Sequence, residues 1–142
     1  MVNDRQGEPC ALPVELDFLM FCSAGVSMAV DAIQVDGIMS LEQAEQRGIS
    51  VRILNEILGM GSVVSPASLK VLLYKDGEET CGVGVDDLDS IVPVPIGAIR
   101  LLPEPFLLSA GTRPFWGAVP RGNDVVLLID LYRLKSLGIY TG

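Results

Sequence analysis

Asp17-Phe-Leu-Met-Phe-Cys-Ser-Ala-Gly-Val-Ser-Met-Ala-Val-Asp31 sets two short apolar runs on either side of Ser23-Ala-Gly25. Val26, Met28 and Val30 recur with period two, the spacing that puts side chains on one face of a strand. Asp17–Cys22 is therefore expected as a strand, 23–25 as a tight turn and Val26–Val30 as the returning strand. The run from Phe18 to Val30 is bracketed by Asp17 and Asp31 and is shorter than the roughly 20 residues that cross a bilayer.

Further along, the same grammar returns. Leu69–Tyr74 is expected as a strand, Lys75-Asp-Gly77-Glu-Glu as a turn carrying an Asp-Gly signal, and Thr80–Val85 as its partner. Ser90–Val94 continues as a strand whose Pro93 and Pro95 suit a sheet edge or a bend. Phe115–Val119 and Asp124–Leu131 form a last hairpin around Pro120–Asn123, and the lack of alternation in 124–131 points to burial on both faces. Helix is favoured over Leu41–Arg47, with Ser40 as N-cap and Gly48 as stop, and over Arg52–Leu58, closed by Gly59. A short turn is expected over 131–137. Val30-Asp31 and Val85-Asp86 each end a hairpin and lie 55 residues apart. The match fits an internal duplication, and it equally fits two unrelated hairpins.

The chain has 142 residues, 10 basic against 18 acidic side chains, and no histidine. Without histidine there is no Ser-His-Asp or Cys-His catalysis and no imidazole base. A net charge of -8 with scattered lysines and arginines disfavours nucleic acid and anionic bilayers. Cys10, Cys22 and Cys81 are odd in number and lack metal-cage spacing, which suits a reducing compartment. Residues 1–16 are expected as a flexible tail without signal-peptide character, and 17–142 as one domain.

Other candidate motifs dissolve on inspection. Gly82-Val-Gly-Val-Asp-Asp87 lacks the third glycine and the following helix of a dinucleotide fingerprint, so close backbone approach in a strand explains its glycines better. Asp86-Asp-Leu-Asp89 lacks the calcium-loop glycine and glutamate and is expected as a solvated acidic turn. No Ser-x-x-Lys accompanies Lys70 or Lys75. Leu101–Leu108, with Phe115-Trp116, either roofs the core or forms a partner surface.

Taken in order, these segments resemble the CheW family, adaptors that couple chemoreceptors to the histidine kinase CheA. The resemblance rests on Asp17–Phe21 with Val26–Ile38, on Val71–Tyr74 with Cys81–Ile91, on Ile99-Arg-Leu-Leu-Pro103, and on Trp116–Val119 with Val125–Leu134. It spans about residues 17 to 134. Two features depart from the family pattern. The central "I-x-G-x-x-N-L-R-G" stretch is mostly missing between Ile38 and Gly48, and Gly37 replaces the glutamate of "V-x-E-I".

The resemblance implies an all-β fold of two small five-stranded SH3-like barrels packed together, with one or two short helices. It implies a non-catalytic cytoplasmic scaffold at receptor arrays, without cofactor, metal, nucleic acid or membrane insertion. Its partners would be a chemoreceptor cytoplasmic signalling tip and a CheA-type histidine kinase regulatory domain. Ile33, Val35, Asp36 and Gly37 would form the receptor-facing groove, with Leu88 and Ile91 as the second-barrel contact. The shortened middle leaves a further reading open, a CheW fold that has lost kinase coupling and serves as a ligand-binding or self-associating module.

Overall fold

The computed structural model describes residues 14–60, 68–103 and 114–134. Their strands are β1 (Glu15–Ser23), β2 (Val26–Asp31), β3 (Gly37–Ser40), β4 (Ser50–Ile53), β5 (Lys70–Asp76), β6 (Glu79–Val85), β7 (Asp87–Pro95), β8 (Arg100–Leu101), β9 (Phe115–Arg121) and β10 (Asp124–Ile129). Two short helices, α1 (Leu41–Gln46) and α2 (Leu54–Ile57), complete the regular structure with three 3-10 turns. The fold is all-β, as expected.

Two sheets carry it. One has six strands in the order β7-β1-β2-β10-β9-β8, the other four in the order β3-β5-β6-β4. The strands thus divide six and four between hydrogen-bonded sheets. The hairpin β1–β2 pairs Phe18 with Asp31 and Ser23 with Val26, as the period-two pattern requires. β2 then lies parallel to β10, Met28 beside Leu127 and Val30 beside Ile129, which joins the two ends of the chain in one sheet.

Side-chain alternation distributes β1 between two cores. Leu19 and Phe21 pack with Met28, Val30 and residues of the four-stranded sheet such as Leu72 and Val83. Phe18 and Met20 pack instead with Ala29, Val94 and Leu128. Successive residues point to opposite faces, so an unbroken apolar run marks a strand covered on both sides. The same holds at β10, where Val126, Leu128 and Ile129 are buried because the strand is internal to its sheet. Val125, near its start, is exposed.

Three expectations are revised. Arg52–Leu58 is not one helix. Val51 and Ile53 are β-branched and suit a strand, and β4 pairs in parallel with β6 from Ser50–Cys81 to Ile53–Gly84, leaving only Leu54–Ile57 helical. Asp87 and Asp89 are solvent-exposed but belong to β7 rather than to a turn. β1 begins at Glu15, paired with Pro95. The helix at α1 is as expected: Ser40 Oγ accepts from the Gln43 N–H at 3.1 Å and Gln43 Oε1 accepts from the Ser40 N–H at 3.0 Å, a reciprocal cap. Gly48 follows in the left-handed region at φ 71°. Residues 1–13 of the expected tail, 104–108 of the 101–108 segment and 135–137 of the expected C-terminal turn lie outside the described residues.

Candidate functional site

The chain passes from the six-stranded to the four-stranded sheet through residues 31–37. Asp31 ends β2, and its Oδ1 accepts from the Ile33 N–H at 3.1 Å, starting the 3-10 turn Ala32–Gln34. The Val35 N–H returns to Ala32 O at 3.1 Å, and the Asp36 N–H donates to Leu73 O at 2.7 Å, which hands the chain to β5. Gly37–Ser40 then pairs with β5 as an edge strand.

This crossover builds one wall of a groove of about 230 Å³. Val35, Asp36, Gly37 and Ile38 line it from the crossover side, with Leu19 and Ala32 beneath and Ile91 of β7 opposite. β7 is itself an outer strand of the six-stranded sheet, paired with β1 through Leu19–Ile91. The groove therefore lies between edge strands of two different sheets. Its walls are apolar apart from the exposed Asp36. Ile91 and Ile38 are 59% and 47% exposed, and Ile33 beside it is 84% exposed. A Cβ at Gly37 would sit 3.5 Å from Leu73 Cδ1, an ordinary contact, so packing does not demand glycine there.

Four of the six residues singled out from the sequence thus meet in one groove, and Ile33 stands on the turn at its margin. Leu88 does not join them. A register shift in the β1–β7 ladder separates Leu19–Ile91 from Phe21–Leu88. Leu88 packs against the core and lines a separate pocket of about 370 Å³ with Met20, Met28 and Val126. The rim of that pocket carries Asp87, Asp89 and Arg121, the last two forming an exposed ion pair at 3.7 Å. Leu19, Ala32 and Ile38 complete the lining with no signal of their own in the sequence, although Ile38 directly follows Gly37 on β3.

No group of three or more metal-binding side chains occurs among the described residues. None of their helices is long and apolar enough to cross a membrane. Cys22 and Cys81 are half-buried thiols outside any disulfide.

Comparison with known proteins adds three findings. The profile of the CheW-like domain matches residues 17–137. No curated protein matches the chain. Its fold is similar to that in the crystal structure of scaffolding protein TtCheW from Thermoanaerobacter tengcongensis, with a TM-score of 0.68 and 16% identity, covering 91% of this chain and 93% of that one.

Proposed function

The chain belongs to the CheW-like domain family, and on that premise we propose that it is a non-catalytic cytoplasmic adaptor. It couples a chemoreceptor signalling tip to the regulatory domain of a CheA-type histidine kinase. The observation that carries this reading is the groove between β3 and β7, where residues distant in sequence, Val35 to Ile38 and Ile91, present an apolar surface. Adaptors of this kind work by apolar contact with a polar rim that selects the partner. Edge strands on both walls add unpaired backbone groups with which an extended segment can pair, while the apolar lining can take the face of a helix. Ile33 and Asp36 lie at the margin, where an exposed isoleucine supplies contact area and a carboxylate supplies selection. Leu88, packed on the core beside a different pocket, serves a second contact or holds β7 in place.

Calorimetric titration of the full chain with a receptor signalling-tip fragment and, separately, with a CheA-type regulatory domain tests the proposal. Binding to both is expected with dissociation constants below about 100 µM, between the millimolar and micromolar scales of about 4 and 8 kcal/mol. Binding to one alone would assign the chain a partial role, contrary to coupling. Binding to neither would overturn it.

A further inference from the structure

Ser23 and Asn55 are 0% and 1% exposed, and the Ser23 hydroxyl and Asn55 Oδ1 have no hydrogen-bond partner among the described residues. They lie beside the same carboxylate. Asp86 Oδ2 accepts from the Ala24 N–H at 2.8 Å and from Asn55 Nδ2 at 3.2 Å. Ser23 precedes Ala24 in the chain, so the Ala24–Asp86 bond brings Ser23 to the same carboxylate. The Asn55 amide cannot be turned to relieve its oxygen, because that would aim Oδ1 at the carboxylate. Two buried acceptors flanking one carboxylate, each without a partner among the described residues, form the kind of polar setting that ordered water fills.

We propose that Ser23, Asn55 and Asp86 enclose an internal water-binding site at the junction of the two sheets. Water donates to Asn55 Oδ1 and exchanges a hydrogen bond with Ser23 Oγ. Asp86 remains occupied by Ala24 and Asn55, so it orients the amide rather than holding the water itself. The site stands where β6 leaves the four-stranded sheet and β7 enters the six-stranded one, and α2, which carries Asn55, packs against β4 and β6. It is independent of the adaptor reading.

The sign of one substitution tests this. If water bonds to Ser23 Oγ, Ser23→Ala loses a hydrogen bond and lowers the urea midpoint. If the hydroxyl is dry, the same change removes an unsatisfied buried group and raises it. On the full chain, water-selective NMR should show a long-lived water cross-peak to the Asn55 side-chain amide that weakens in Ser23→Ala. A raised midpoint, or no such cross-peak in the parent, would overturn the proposal. So would a midpoint that changes when sodium is replaced by choline at constant ionic strength, since that would mean a cation occupies the oxygens.

Discussion

Gln34 and Asp130 tie together the exits of two parallel strands. The Gln34 amide donates to Asp130 Oδ1 at 2.9 Å, and its Oε1 accepts from the Leu131 N–H at 3.0 Å. Asp130 Oδ1 also accepts from the Tyr132 N–H at 3.0 Å, as Asp31 Oδ1 does from Ile33. Two aspartates at equivalent ends of β2 and β10 thus start two 3-10 turns, and Gln34 clamps one turn to the other. Gln34→Ala should lower stability by about 1–3 kcal/mol, since it leaves the Leu131 N–H without its acceptor and takes one donor from Asp130, which keeps the Tyr132 N–H and Arg133. Gln34→Glu should cost more, because it sets a second carboxylate against Asp130. Urea unfolding of the three proteins checks the order, and equal midpoints would refute the clamp.

Gly82 is the position at which β6 has no room for a side chain. A Cβ there would meet Val71 Cγ1 at 2.8 Å and Val51 Cγ2 at 3.1 Å. Valine is stiff about χ1 and cannot swing aside cheaply. Gly82→Ala should therefore cost about 1–3 kcal/mol through overpacking. At Gly84 the nearest atom lies 3.5 Å away, so Gly84→Ala should cost distinctly less. Thermal melts of the two variants give the comparison, and an equal loss in both would show that space is not the cause.

Ala24 sits at φ 52° and is the one non-glycine residue of positive φ among those described. An L-residue with a side chain pays about 1–2 kcal/mol for the left-handed region. Glycine removes that strain but loses about 0.4–1 kcal/mol through the entropy of the unfolded chain. Ala24→Gly should leave a net gain of about 0.5–1 kcal/mol, read as a rise in the urea midpoint. The Asp86 bond to the Ala24 N–H is a backbone contact and survives the change.

Much of this architecture was legible because its causes are local. The β1–β2 hairpin follows from alternation on either side of Ser23–Gly25, and α1 follows from Ser40 as its N-cap and Gly48 as its stop. The glycines of β6 are expected to permit close backbone approach, but at Gly82 the tight neighbours are the Val71 and Val51 side chains and at Gly84 the nearest atom stands at an ordinary 3.5 Å. What escaped is non-local. Arg52–Leu58 has a helical composition, and nothing within it announces a parallel partner at Cys81–Gly84. The Val-Asp match between 30–31 and 85–86 is real in the sequence, yet the carboxylates act differently. Asp31 caps its own turn, whereas Asp86 reaches Ala24 and Asn55 across the molecule. The functional counterpart of Asp31 is Asp130, whose neighbours share little with it in sequence. Gln34 carried no signal because a polar side chain in a short turn is ordinary until its partner is known.

Tyr74 links packing to pH. Burial pushes its phenol from the ordinary 10 up to about 12, with Cys81 and Asp76 raising it further and the Arg52 guanidinium opposing them. Folding thus favours the neutral phenol. Its contribution is complete below pH 10 and is lost as pH rises through the folded value near 12. Stability should fall across that interval, and Tyr74→Phe should fall less, because it has no proton to lose. The tilted ring contact with Tyr132, at a centroid separation of 6.4 Å and 60° between planes, is retained in that variant. Urea midpoints of both proteins through the alkaline range check the difference. Parallel curves would assign the loss to lysines and other tyrosines.

The groove itself is best tested by substitutions that spare the fold. Ile33 and Ile91 are 84% and 59% exposed, so Ile33→Glu and Ile91→Glu should leave stability within about 0.5 kcal/mol of the parent, as surface changes generally do. Val125 is comparably exposed at 58% but lies on β10 outside the groove lining, so Val125→Glu serves as the control of equal charge. If the groove receives a partner, the two isoleucine variants should weaken binding about tenfold or more, about 1.4 kcal/mol, while Val125→Glu leaves it unchanged. The contrast separates local contact from the general effect of adding charge to an acidic chain. An equal loss in all three variants would point to long-range repulsion, and no loss in any would place the docking surface elsewhere on the molecule.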